Sequence, residues 1–201
     1  MMPLRKLPEI LSAYHAQFPR SFVRLFPTEA FKSREGFFLS PNSLGVAFGS
    51  TDTEHEGVRY TELYRGPVVC LLPSDHPLAG RQRLTVEDLA YEPVYLLKEE
   101  MDCPFLHRLF HFVSLNHPYE SLTPCASFFE LASMAHGGFG VSVTPFLQTE
   151  AHAGCACVPF DYPEEYSLGI FTHRDCPEDV QALVEIARRI CAEDPASPVQ
   201  L

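Results

Sequence analysis

Apolar residues at Leu7, Ile10, Leu11, Tyr14 and Phe18 recur at i, i+3, i+4, i+7 spacing, which predicts an amphipathic helix over 7–18. Pro8 is tolerated in its first turn, and Pro19 stops it. The run Pro67-Val68-Val69-Cys70-Leu71-Leu72 holds no polar residue, so it predicts a strand covered on both faces. Pro73, Pro77 and Gly80 end that strand in a turn, and Leu84 to Leu89 restarts with Glu87 and Asp88, acidic residues suited to a helix start. Phe22 to Phe26 and Ser43 to Gly49 read as strands, with a short, poor helix or loop over Phe31 to Asn42 between them.

The second half alternates more regularly. Asp102-Cys103-Pro104 opens a helix carrying Phe105, Leu106, Leu109, Phe110 and Val113. Ser127-Phe128-Phe129-Glu130 has capping-box spacing: the serine hydroxyl can accept from the glutamate amide while the carboxylate reaches back. Gly137-Gly138 closes that helix. Phe139 to Val143 and Tyr166 to Phe171 read as strands. The last helix shows Val180, Leu183, Val184, Ala187, Ile190 and Cys191 on one face, with acids at its start and Arg188 and Arg189 near its end. Helices alternating with strands predict an α/β fold.

Composition narrows the function. With 201 residues and 46% hydrophobic content, the chain can bury a substantial core as one or two lobes. A formal charge of -11 with only 15 Lys and Arg opposes a bare nucleic-acid binder, since phosphate affinity rests on clustered basic side chains. There is no apolar run of about 18 residues, and no apolar segment follows a basic start, so neither a membrane span nor a secretory signal is expected and the location implied is cytoplasmic. Seven scattered cysteines, an odd number, argue against a disulfide framework. Cys155 and Cys157 would share one face of a strand, where small buried thiols are the plain reading and a metal or redox site the alternative.

Three stretches in order carry a resemblance. Leu7-Pro8-Glu9-Ile10-Leu11-Ser12-Ala13-Tyr14 to Phe18-Pro19, then Val68 to Gly80 continuing through Leu89 to Glu92-Pro93-Val94-Tyr95-Leu96-Leu97, then Met134-Ala135-His136-Gly137-Gly138-Phe139-Gly140-Val141-Ser142-Val143-Thr144-Pro145 resemble the effector-binding domain of LysR-type transcriptional regulators. The resemblance implies a two-lobed periplasmic-binding-protein-like (type 2) fold, with mixed sheets flanked by helices and two crossover strands as a hinge. Residues 1–72 plus 171–201 would form lobe I and 73–170 lobe II. It also implies a small-molecule effector in the cleft between lobes, and a homodimer or tetramer joined through the opening helix and the edge of the crossover strand. DNA would be reached only through a helix-turn-helix module that this chain does not contain. Two departures stand out: only Met1 to Lys6 precede the first helix where the family has a strand, and Gly45 stands where the family usually has an aspartate.

In a two-lobed α/β fold, ligands settle at the carboxyl ends of strands. Pro27-Thr28-Glu29, Phe48-Gly49-Ser50-Thr51 and Leu97-Lys98-Glu99 are the loops that line the effector pocket in family members. The resemblance therefore assigns Pro27, Thr28, Phe48, Gly49, Ser50, Thr51, Lys98, Glu99 and Phe128 to ligand binding, although each also fits an ordinary turn or, for Phe128, a core position. Helix starts at Pro104 and Ser127, together with Lys98, suit a carboxylate-bearing effector, whereas Glu99, Glu100 and Asp102 are compatible with an amine or neutral one.

No cofactor is implied. His107 and His111 could chelate from one helix face, with His117 nearby, but no third ligand stands at a recognisable spacing. His76 in the Asp75-His76-Pro77 turn reads as a hinge-turn residue by the resemblance. No Gly-x-Ser-x-Gly, phosphate loop or zinc-protease signature occurs, so an enzyme is not expected. The rival from another class is a free-standing solute-binding protein of the same fold, which the missing leader and unpaired cysteines oppose.

Overall fold

Pro8 and Pro19 bracket the first helix as the sequence demands: α1 spans Leu7–Gln17 and ends at Phe18, whose amide returns to the Tyr14 carbonyl. The structure, a computed structural model, describes residues 6–23, 25, 47–49, 57–98, 103–117, 121–145 and 154–192, with 47–49 as backbone alone. The chain divides into two compact units. One holds the residues up to 65 and those from 167, and the other holds 66–166.

In the first unit, β1 (Ala47–Gly49) and β2 (Val58–Gly66) flank β8 (Tyr166–His173) in a three-stranded sheet. β1 runs antiparallel to β8, with Phe48 opposite Ile170 and Gly49 opposite Gly169. The last helix, α4 (Glu178–Ala192), packs with α1: Ile10 and Tyr14 meet Ile170, Val184 and Ala187 in one apolar cluster. Spacing of i and i+4 in α1, and of i and i+3 in α4, puts these side chains on facing stripes. The predicted strand over 22–26 does not form at its described positions: Phe22, Val23 and Leu25 lie outside any strand and are exposed. β-propensity without a pairing partner does not hold a strand. The residues Phe31 to Asn42, and the start of the strand expected from Ser43, lie outside the described residues.

The second unit is built on a five-stranded sheet in the order β5-β4-β6-β3-β7, comprising β3 (Val68–Pro73), β4 (Val94–Leu97), β5 (Leu122–Cys125), β6 (Val141–Pro145) and β7 (Cys155–Pro159). β4 pairs in parallel with β5 and β6, while β3 pairs antiparallel with β6 and β7. α2 (Pro104–Asn116) links β4 to β5, and α3 (Phe128–His136) links β5 to β6. These two crossovers step in opposite directions along the sheet, so right-handed connections place α2 and α3 on opposite faces. That double cover explains the unbroken apolar run of β3, in which Val68 to Leu72 are all buried.

Because β3 is hydrogen-bonded on both sides, it offers no free edge, and the expected pairing of subunits along the crossover strand is not available to it. The same pairing holds Val68 to Pro73 in the second unit, which runs from Gly66 to Tyr166.

Local rules explain the rest. Ser127 caps α3 by accepting from the Glu130 amide at 3.2 Å, but the Glu130 carboxylate reaches one residue beyond the capping box, to the Ala126 amide at 2.7 Å. At the other end, Gly138 adopts φ +74 and the Phe139 amide returns to the Met134 carbonyl. Since the helix claims that amide, β6 starts at Val141 rather than at the expected Phe139, which is 63% exposed. All seven cysteines are free thiols.

Candidate functional site

Where adjacent parallel strands send their connections to opposite faces of a sheet, a crevice opens outside their carboxyl ends. β4 and β5 meet that condition, and what stands at their ends is Lys98, the Cys125-Ala126-Ser127 turn and the first turn of α3. The two strand ends are joined by the Lys98 amide donating to the Cys125 carbonyl at 3.0 Å.

Electrostatics at this corner are mixed. The Cys125 thiol is pushed up to about 11, first by burial and then by the Glu130 carboxylate, while the Lys98 ammonium pulls it back. A cation and a carboxylate therefore both act on the same buried sulfur. The carboxylate is already engaged by the Ala126 amide, whereas Lys98 stands at the strand end with its side chain half-buried. The helix start adds backbone amides and partial positive charge, so the corner can take an anionic group.

The residues expected at the site fall into three groups. Lys98 and the start of α3 come together. Phe128 is buried, 3% exposed, with its ring in the core of the second unit, whereas Phe129 beside it is 81% exposed. Phe48 and Gly49 are placed only as backbone in β1 of the first unit, and Pro27, Thr28, Ser50, Thr51 and Glu99 lie outside the described residues. Sequence reasoning missed Cys125 at the site; it did mark the backward reach of Glu130 through the capping-box spacing, but to the Ser127 amide rather than to the Ala126 amide that the carboxylate accepts from.

The histidines have other work. His117 is buried and donates from Nε2 to the Leu89 carbonyl at 2.8 Å, while His107 and His111 are exposed; among the described residues no three His, Cys, Asp or Glu side chains gather to hold a metal. His76 accepts the Leu78 amide at Nδ1 and so presents a protonated Nε2 to Glu92, 3.5 Å away, which holds the turn after β3. No described helix is long and apolar enough to cross a membrane.

Comparisons with known proteins agree with this architecture. Two curated relatives are the HTH-type transcriptional regulator AlsR of Bacillus subtilis, 28% identical over 94 residues, and the transcriptional activator protein LysR of Escherichia coli, 29% identical over 157 residues. The alignments cover 47% and 76% of this chain but only 30% and 48% of those regulators. Among solved structures, the effector-binding domain of a BenM variant superposes with a TM-score of 0.73 at 17% identity, covering 94% of this chain and 90% of that one. The BenM effector-binding domain with its effector benzoate gives 0.70 at 18%, covering 98% and 93%. The regulatory domain of MetR, a LysR family regulator from N. meningitidis, gives 0.70 at 14%, covering 94% and 88%. These likenesses show the type 2 periplasmic-binding-like fold, and each named relative is a regulator or a piece of one, not a solute-binding protein. The family model for the LysR substrate binding domain matches residues 1–192, and the chain belongs to that family.

Proposed function

We propose that this chain is the effector-sensing and oligomerisation part of a LysR-type transcriptional regulator, working in the cytoplasm and reaching DNA through a helix-turn-helix module outside it. The observation that carries the reading is the family match over residues 1–192. The effector is a small carboxylate. Its anionic group docks at the carboxyl ends of β4 and β5, on the Lys98 ammonium and the start of α3; the benzoate bound by the similar BenM domain supports the same chemistry. Regulation requires that the effector bind two arrangements of the lobes with different affinity, since equal affinity shifts nothing. Subunits pair as a homodimer or tetramer through surfaces other than the edges of β3.

The test is a thermal-shift series of the chain against benzoate, aliphatic carboxylates, amino acids and amines. Ligand at a hundredfold excess over its dissociation constant adds about 2.7 kcal/mol. A saturable shift with a carboxylate, lost in Lys98→Ala, supports the assignment. No shift with any carboxylate, or one that Lys98→Ala leaves intact, sinks the site.

A further inference from the structure

Away from that corner, one thiol has a base beside it. Cys155 opens β7, the end strand of the sheet order, and its Sγ lies 3.7 Å from Nδ1 of His136 in the last turn of α3. The contact depends on Gly154: a Cβ there would stand 2.8 Å from the His136 ring, and its φ of +88 suits glycine. The Ser74 hydroxyl donates to the Gly154 carbonyl and pins this turn against the end of β3. His136 is exposed and Cys155 half-buried, so a small solute can reach the sulfur.

We propose that Cys155 and His136 form a thiol-modification site that takes low-molecular-weight disulfides. His136 Nδ1 removes the proton from the Cys155 thiol as the sulfur attacks one sulfur of R–S–S–R. The small disulfide's S–S bond breaks, a Cys155–S–S–R bond forms, and the departing thiolate takes the proton from His136 to leave as RSH. The Cys155 sulfur is oxidised and one half of the reagent is reduced. Burial pushes the Cys155 thiol up, so the resting group is the neutral thiol and the imidazole acts during the step. Cys157 does not resolve the product. It sits on the same face two residues on, about 6.7 Å along a strand, is paired opposite Leu71, and its thiol is pushed up to about 12. The modification therefore ends as a mixed disulfide.

The experiment incubates the chain with oxidised glutathione and follows adducts at each cysteine by peptide mass spectrometry. Half-buried Cys176 serves as the reference and excess dithiothreitol as the reversal. The expected result is an adduct at Cys155 forming on the order of a hundredfold faster than at Cys176, the low end of general-base acceleration, and slowed toward that reference in His136→Gln. Modification at Cys155 no faster than at Cys176 overturns the proposal, as does a rate that His136→Gln leaves unchanged. The exposed position of His136 keeps that variant folded, which its circular dichroism checks.

Discussion

The backbone amide of Lys98 donates to the Cys125 carbonyl at 3.0 Å, so the ends of two parallel strands are joined by a main-chain bond that no side-chain substitution removes. Lys98→Ala therefore isolates the ammonium. It is expected to weaken carboxylate binding about tenfold, the worth of one charged hydrogen bond, with little change in unfolding midpoint; titration calorimetry with benzoate measures the first and urea unfolding the second.

Ser127→Ala removes the acceptor for the Glu130 amide at the start of α3. The loss is about 1 kcal/mol, a fall in melting temperature of about 2–4 °C for a chain of this size. Ser127→Asp, which keeps an acceptor, retains the wild-type midpoint. A midpoint unchanged in the alanine variant would show that the cap contributes nothing.

His117 is 4% exposed, and its Nε2 is the donor to the Leu89 carbonyl. His117→Ala removes one of two donors to the Leu89 carbonyl, which keeps the Glu92 amide at 2.9 Å, and leaves a cavity, together costing about 2 kcal/mol. Glutamine can restore the donor, so His117→Gln is expected to lose less than half as much in urea unfolding.

Gly169 in β8 has no room for a side chain: a Cβ would stand 2.4 Å from the Thr61 carbonyl oxygen of β2 and 2.5 Å from the Tyr60 ring. Gly169→Ala is expected to destabilise the chain by about 2 kcal/mol, since the clash with backbone cannot be relieved by a rotamer change. Ser167→Ala, two positions earlier on the same face of β8, breaks the hydroxyl contacts to Tyr60 and Glu62 and gives a milder loss by the same assay.

Alkaline pH destabilises the folded chain through its thiols. Cys157 is pushed up to about 12 and Cys125 to about 11 from an ordinary 9.0, and Cys70 is raised as well, in each case chiefly by burial. Their folded values lie above the unfolded one, so their contribution is complete below about pH 9 and is lost as pH rises toward 12, because the unfolded chain releases protons that the folded one holds. Urea midpoints measured at about pH 7 and about pH 10 should fall with pH, and fall less in Cys157→Ala.

Elements with a strong local signal were legible in the sequence. The stripe of α1 between its prolines, the capping residues of α3, the Gly137-Gly138 stop and the apolar run of β3 each follow from rules acting within a few residues. Phe22 to Phe26 misled because β-propensity describes a residue's fit to a sheet, and the sheet must be supplied from elsewhere in the chain. Phe139 misled for a different reason: its amide was claimed by the preceding helix. At the candidate site, Lys98 could be found because the strand before it is legible as an apolar run and the resemblance puts the loop after that strand in the effector pocket. Its neighbourhood with Cys125 and Glu130 could not, since these lie far apart in the chain and meet only when β4 and β5 pair.

What the sequence determined by itself was the kind of chain this is: an acidic α/β protein with free cysteines, helices and strands in alternation, and three ordered stretches that resemble one family of regulators. Only the tertiary structure decided which strands neighbour one another. It put β3 between β6 and β7 and so closed both its edges, turned the β4 and β5 connections to opposite faces, and brought His136 to Cys155. Periodicity reports which face of an element is buried, because that depends on residues one turn or two positions apart. Strand order and side-chain meetings depend on pairings between distant segments, and those are set by the packing of the whole core.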